Sequence, residues 1–288
     1  MNSKADIRDD YALRINKVLN HIQANLGNPF RLFELSTIGD FSPYHFHRII
    51  SAYLGEPLGT YIKRVRIEKA AQLLRFSNTS ISEISEMVGY DTLSSLSAAF
   101  QKRFGLSPTA YRKKHNPQKS ARTVDVPEKV NFDFNPTIKT LPPMKIAFVR
   151  IFGKYGSEPI GKAWDKLFRF AAHQNLMDEK TKMLGISYDN PEITENEKYE
   201  YNACITIQKE IKPEGEIGIK EMKGGKYAVF THRGNYENFS LIYSLIFKEW
   251  LLKSEHELRD TEIFDRYVNT PFDTEPNELV TEIHLPLK

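Results

Sequence analysis

The stretch "SSLSAAFQKRFGLSPTAYRKKH", Ser94–His115, decides how the first half of this chain folds. Leu96, Phe100 and Phe104 recur in it at helical spacing. The stretch also has a counterpart upstream. At a shift of 50, "FHRIISAYLGEPLGTYI" (Phe46–Ile62) lies over "LSAAFQKRFGLSPTAYR" (Leu96–Arg112) without a gap. Phe46 meets Leu96, Gly55 meets Gly105, and Tyr61 meets Tyr111. At a shift of 49, "LSTIGDF" (Leu35–Phe41) meets "ISEMVGY" (Ile84–Tyr90). Each copy reads as a short helix, a tight turn and a second helix, which is helix-turn-helix geometry.

The flanking sequence extends the helical reading over residues 7–115. "DDYALRINKVLNHIQANLG" places Leu13, Val18, Ile22 and Leu26 near one face, and Gly27 and Pro29 end it. "GTYIKRVRIEKAAQLLRFSN" turns Tyr61, Ile62, Val65, Ala70, Leu73 and Leu74 inward. Residues 116–130 are polar, hold two prolines and show no period, so a linker is expected over 116–135. A second domain follows over 136–288. The full length of 288 residues suits two domains, each large enough for its own core.

Charge separates the halves. Residues 1–122 hold 18 Lys and Arg against 10 Asp and Glu, a net +8, while the remainder is −5. A basic half suits a polyanion. The second helix of a helix-turn-helix unit enters the major groove, so two such units fit successive grooves about 34 Å apart. A lone cysteine, Cys204, excludes an internal disulfide and suits a reducing compartment. The N-terminal "MNSKADIRDDYALRINK" lacks a signal-peptide core, and no apolar run is long enough for a membrane span. A cytoplasmic protein without a membrane partner is expected.

"ISEISEMVGYDTLSSLSAAFQKRFGLSPTAYRKK" resembles the signature of the AraC/XylS family of transcription regulators. The shared features are Ile81 and Ile84, "VGY", the helix of Phe100 and Phe104, "GLSP" and "YR". "SPYHFHRIISAYLGEPLGTYIKRVRIEKAAQLL" carries the same pattern. The resemblance covers about 100 residues and implies binding of double-stranded promoter DNA in bacterial cytoplasm. RNA polymerase joins as a partner if the chain is an activator. Two units in one chain remove the need for a dimer, so a monomer is expected.

In the first unit Ser42 is the expected helix N-cap, with Pro43 at the first helical position. Tyr44, His47 and Arg48 then share one face at i, i+3 and i+4, with His45 beside them. The resemblance places base contacts at Tyr44, His47 and Arg48. Arg can bond guanine with two parallel hydrogen bonds. In the second unit the position of Arg48 is taken by Ala98. The exposed set there is Thr92, Leu93, Ser94, Ser95, Ser97 and Ala98, with Gln101, Lys102, Arg103, Arg112, Lys113 and Lys114 expected at phosphates. Short hydroxyls discriminate bases poorly, and Leu93 or Ala98 suits a thymine methyl. The first helix is therefore expected to specify sequence and the second mainly to seat the protein.

A second repeat fills the second half. "KIAFVRIFGKYG" (Lys145–Gly156) overlays "KYAVFTHRGNYE" (Lys226–Glu237) at a shift of 81. Each strand leads into an amphipathic helix, the first with Ile160, Trp164, Leu167, Phe168 and Ala171, the second with Phe239, Ile242, Leu245, Ile246 and Trp250. Two further strands follow each helix. The expected fold class is thus α + (α+β). An all-α double helix-turn-helix domain is followed by two strand–helix–strand–strand repeats, which form an antiparallel sheet with both helices on one face. A ligand would take the opposite face or the groove at the pseudo-twofold junction.

"GGKYAVFTHRGNYENFSLIYSLIFKEWLLKSEHELRD", "FDRYVNTP" and "TEIHLPL" resemble the GyrI-like effector-binding domain. This implies a one-component regulator whose tail senses a small molecule in a pocket of aromatics and one acid. The acid falls at Asp265, one methylene shorter than the family's Glu, with Tyr267 on the same face. Tyr188, Tyr201, Tyr227 and Trp250 are the aromatic candidates, and Gly234 and Tyr236 are read as holding the strand-to-helix turn. An organic cation is one effector chemistry that suits such a site. The family's Asp is replaced by Asn202, which weakens a strongly cationic reading. Alternatives are a small-molecule hydrolase using Asp265 and Tyr267, or a regulator answering to a protein partner. The sequence shows no metal-ligand spacing, phosphate loop or nucleophile motif, so no catalysis, metal or cofactor is expected.

Overall fold

A computed structural model describes residues 4–115, 132–153, 158–188 and 193–288. The linker expected over 116–135 falls largely outside the described residues, as does Tyr155. The chain divides into two compact units, one helical and one built on a sheet.

The helical unit runs α1 (Lys4–Ala24), α2 (Leu32–Ile38), α3 (Pro43–Leu54), α4 (Leu58–Phe76), α5 (Ile81–Met87), α6 (Leu93–Phe104) and α7 (Pro108–His115). The sequence repeat is the structural repeat. Helices α3 and α6 both have 12 residues and start at Pro43 and Leu93, while α2 and α5 both have 7. Gly55 and Gly105 end the two longer helices with the same φ of 68°. Only a residue without Cβ takes that left-handed turn cheaply. Phe46, Ile50, Leu96 and Phe100 are fully buried, so truncating either Phe to Ala would cost about 3–5 kcal/mol. The inward face of α1 is Ala12, Ile15, Val18, Leu19 and Ile22. The expected Leu13 is only half-buried, because the stripe follows Ile15 and Leu19 around the helix, and Leu26, also half-buried, lies beyond the helix end. On α4 the packed side includes Ile67 and the charged Glu68, 2% exposed.

The second unit holds one antiparallel sheet of eight strands, ordered β1-β6-β8-β7-β3-β4-β2-β5. The first repeat is β2 (Met144–Phe152), α8 (Glu158–His173), β3 (Met183–Ser187) and β4 (Glu200–Thr206). The second is β6 (Gly225–Arg233), α9 (Phe239–Leu245), β7 (Phe264–Tyr267) and β8 (Val280–Pro286). A π-helical turn, Ile246–Trp250, prolongs α9. Strands β1 (Thr137–Leu141) and β5 (Ile217–Met222) extend the edges by pairing with β6 and β2. The repeats meet where β3 pairs with β7.

Cross-strand partners share a face of a sheet. The series Ala203–Gly185–Asp265–Ile283–Phe230 is therefore on one side. That side carries α8, whose Ala163, Leu167 and Ala171 pack with Val149, Ala203 and Ile205. It also carries α9, whose Tyr243 reaches Asp265. The other side buries Phe148, Leu184, Ile186, Cys204, Tyr227 and Phe264.

Candidate nucleic-acid interface and ligand site

Helix α3 presents uncommitted polar groups. Ser42, Tyr44, His45, His47 and Arg48 are all exposed, Tyr44 to 89%, while Phe46 and Ile50 anchor the opposite face. Ser42 occupies the N-cap with Pro43 after it, but its hydroxyl makes no capping bond. Among the described residues no hydrogen bond or ion pair engages the side chains of Tyr44, His45, His47 or Arg48. Their donors and acceptors are thus all available to a groove.

Helix α6 differs. Its N-cap Thr92 accepts from the Ser95 backbone N–H at 3.1 Å and shares hydrogen bonds with the hydroxyls of Ser94 and Ser95 at 3.0 and 3.1 Å. Ser95 also donates to the Thr92 carbonyl at 2.8 Å. Three of the expected polar groups are therefore already paired with one another. Leu93 is 47% exposed, Ala98 and Lys102 are exposed, and Ser97 is half-buried. Arg112, expected at a phosphate, is half-buried and donates to the Thr79 carbonyl at 2.5 Å, which ties α7 to the α4–α5 loop.

In the sheet unit Asp265 is 2% exposed and accepts a hydrogen bond from Tyr243 Oη at 2.6 Å. No cation pairs with it among the described residues. Burial pushes its carboxyl up to about 7, against which the Tyr243 hydrogen bond pulls. Two residues on, Tyr267 shares a hydrogen bond with Tyr201 through their hydroxyls at 3.1 Å. Its ring lies edge-on to Trp164 of α8 at 5.8 Å and near Tyr236 at 5.5 Å. Tyr236 is pushed up to about 12, first by burial and then by the charge of Asp265. Phe168 lies beside Trp164, and Phe272, 76% exposed, stands 6.1 Å from Phe168. The floor is Gly185, opposite Asp265, where a Cβ would run into the hydroxyls of Tyr201 and Tyr267. The assembly is one acid ringed by aromatics from both repeats.

The six expected ligand residues do not come together as one set. Tyr201, Asp265 and Tyr267 do. Trp250 is on the same face but packs on Phe230 at 5.1 Å and His256 at 5.6 Å. Tyr227 and Tyr188 face the other side of the sheet. Tyr227 is core, 1% exposed, with its hydroxyl on the Lys223 carbonyl. Tyr188 accepts from Lys220 and from Asn202, and Lys220 is paired with Glu262 at 2.8 Å. Asn202 shares that side. Trp164, Phe168, Tyr236, Tyr243, Gly185 and Phe272 were not among the expected site residues. Tyr236 and Tyr243, seven apart in "NYENFSLIY", are the one sequence signal of a shared helix side. Among the described residues no cluster of His, Cys, Asp or Glu is placed to hold a metal, and no helix is long and apolar enough to cross a membrane.

The family model of the GyrI-like small molecule binding domain matches residues 134–288, and that of a helix-turn-helix domain matches 35–114. The chain is 32% identical over 98 residues to the HTH-type transcriptional activator AarP of Providencia stuartii, covering 34% of this chain and 73% of that one. It is 30% identical over 105 residues to the multiple antibiotic resistance protein MarA of Escherichia coli (strain K12), covering 36% and 83%. Among solved structures, the C-terminal domain of EcmrR matches 55% of this chain and 98% of that one, at 14% identity and a TM-score of 0.44.

Proposed function

We propose, for a chain that belongs to the AraC family of helix-turn-helix transcription regulators and carries a GyrI-like small molecule binding domain, that α3 and α6 enter adjacent major grooves of one promoter site. Helix α3 specifies the sequence and α6 seats the protein. The observation that carries this is the contrast in commitment. Tyr44, His47 and Arg48 are exposed and unpaired among the described residues, whereas Thr92, Ser94 and Ser95 bond to one another. Arg48 is assigned a guanine, and Lys102 a phosphate. Residues 7–115 form the DNA-binding domain and residues 136–288 the effector domain. The two helix-turn-helix repeats of one chain supply both groove contacts, so a monomer suffices.

The effector takes the cluster around Asp265, between aromatics of both repeats. Its ionised carboxyl and the faces of Tyr236, Tyr267 and Trp164 suit an organic cation. The family model that matches residues 134–288 is that of a small molecule binding domain, which supports binding over hydrolysis as the role of the cluster. Ligand binding acts on transcription only if its affinity differs between DNA-bound and free protein. Genome-wide footprinting gives the sites. A thermal-shift screen of the full chain against organic cations and neutral metabolites, repeated with Asp265→Asn, tests the sensor. A hit that Asp265→Asn abolishes is expected. Hits that are indifferent to Asp265 would remove the assignment.

A further inference from the structure

Four charged side chains form a series across the helical unit. Arg64, on α4, contacts Glu56 at 2.9 Å, and Glu56 directly follows Gly55, the residue that ends α3. One turn along α4, Glu68 contacts Arg64 at 3.2 Å. The second carboxylate oxygen of Glu68 faces Arg103 at 3.8 Å, in the last turn of α6. The side chains of Arg64 and Glu56 are 9% exposed and that of Glu68 only 3%. The series therefore starts at the C-terminal end of one reading helix, crosses α4, and finishes at the C-terminal end of the other.

Burying these charges is a poor way to gain stability. A buried ion pair is often no better than apolar packing of the same volume, because desolvation offsets attraction. Its distinctive property is direction. A guanidinium held by two carboxylates at fixed points has one good placement, whereas leucines slide. The ends of the series are the repeat-equivalent ends of α3 and α6, which must keep one distance and one rotation if both are to lie in grooves of the same duplex. Arg66, the next inward arginine on α4, serves elsewhere, donating to the carbonyls of Gly89 at 2.9 Å and Asn28 at 2.6 Å.

We infer that Glu56, Arg64, Glu68 and Arg103 act as positioning residues that set the separation and rotation of α3 relative to α6, so that the protein discriminates the number of base pairs between its two half-sites. This rests on the two-helix reading above. Inserting one base pair rotates the second half-site by about 34–36° and moves it by about 3.4 Å. A rigid pair of helices rejects that change, and a slack pair follows it.

The test uses the full chain and duplexes carrying a footprinted site, the same site with one base pair inserted between its halves, the α3 half-site alone, and random sequence. Wild-type protein is expected to prefer the native spacing by about tenfold or more, the scale of one mismatched base pair. Arg103→Gln leaves the buried Arg64–Glu68 pair intact. Its preference is expected to fall to about threefold or less, with affinity for the lone α3 half-site unchanged. Glu56→Gln, cutting the other end, should give the same ratio, and the double variant no further loss. Arg103→Lys keeps the charge and should recover the preference. Thermal melting of each variant checks that the fold survives. An unchanged spacing ratio in both single variants overturns the inference. So does an equal loss on every duplex, random DNA included, which would make Arg103 a phosphate contact. A wild-type protein indifferent to spacing instead overturns the two-helix reading itself.

Discussion

Replacing Asp265 by Asn should stabilise the sheet unit, and by an amount that grows with pH. The native carboxyl is buried, meets Tyr243, and has its titration pushed up to about 7 from the ordinary 3.8. The folded state therefore holds a proton that the unfolded chain gives up above about pH 4. Stability falls as pH rises from about 4 to 7, and levels off above 7. Asn keeps the size, keeps an acceptor for Tyr243, and cannot ionise. At about 1.4 kcal/mol per pH unit, the gap between variant and wild type should widen by roughly 2–3 kcal/mol from pH 5 to pH 8. Both tryptophans of the chain, Trp164 and Trp250, are in this unit, so urea unfolding followed by their fluorescence reports it. His284 titrates in the opposite sense. Burial holds it down to about 4, so its contribution rises with pH between about 4 and 6.5. That contribution is common to both proteins and cancels in the difference. A gap that stays constant from pH 5 to pH 8, or narrows, would refute the picture of a buried, unpaired acid.

Arg48→Ala should weaken binding to a footprinted site by about 1–3 kcal/mol and leave random DNA nearly unaffected, as measured by titration at fixed salt. An equal loss on both would place Arg48 on a phosphate. Ala98→Arg restores a long side chain on the exposed face of α6 and should create a base preference in that half-site, read by binding selection from a randomised duplex pool. No change in preference would mean that α6 does not lie in the groove. Gly185→Ala places a methyl group against the Tyr201 and Tyr267 hydroxyls, so it should break their 3.1 Å hydrogen bond and weaken effector binding more than it lowers melting temperature. The tyrosine contribution to near-ultraviolet dichroism monitors the pair, and a ligand affinity equal to wild type would remove Gly185 as the floor of the site.

The repeats at 50, 49 and 81 were readable because each copy reuses the same core positions, and core positions are what sequence periodicity records. Asp265 and Tyr267 were readable as a pair because they are two apart on a strand. Which side of the sheet a strand residue faces was not readable. Tyr188 and Tyr227 sit opposite Asp265 because the register of β3 against β4 and of β6 against β8 puts them there, and a slip of one residue would reverse it. Tyr243 escaped notice because the apolar stripe of α9 selects Phe239, Ile242 and Leu245, one position further round. The burial of Glu68 and the bond of Arg112 to the Thr79 carbonyl depend on partners elsewhere in the chain. A composition of alternating charge and hydrocarbon reads as a solvated face until those partners are known.

At the centre of the sheet, Gly185 of one repeat stands directly across from Asp265 of the other. Two halves of common architecture have thus taken opposite parts, one giving up its side chain and the other supplying a charge. A perfectly duplicated cradle would accept a guest in two interchangeable poses and could not tell its head from its tail. Here the carboxyl is on one repeat and the bare backbone on the other, so a guest of the proposed site would be oriented by it. For the proposed site, the loss of symmetry at one pair of residues gives a repeated fold a direction, and each repeat supplies a part that the other lacks.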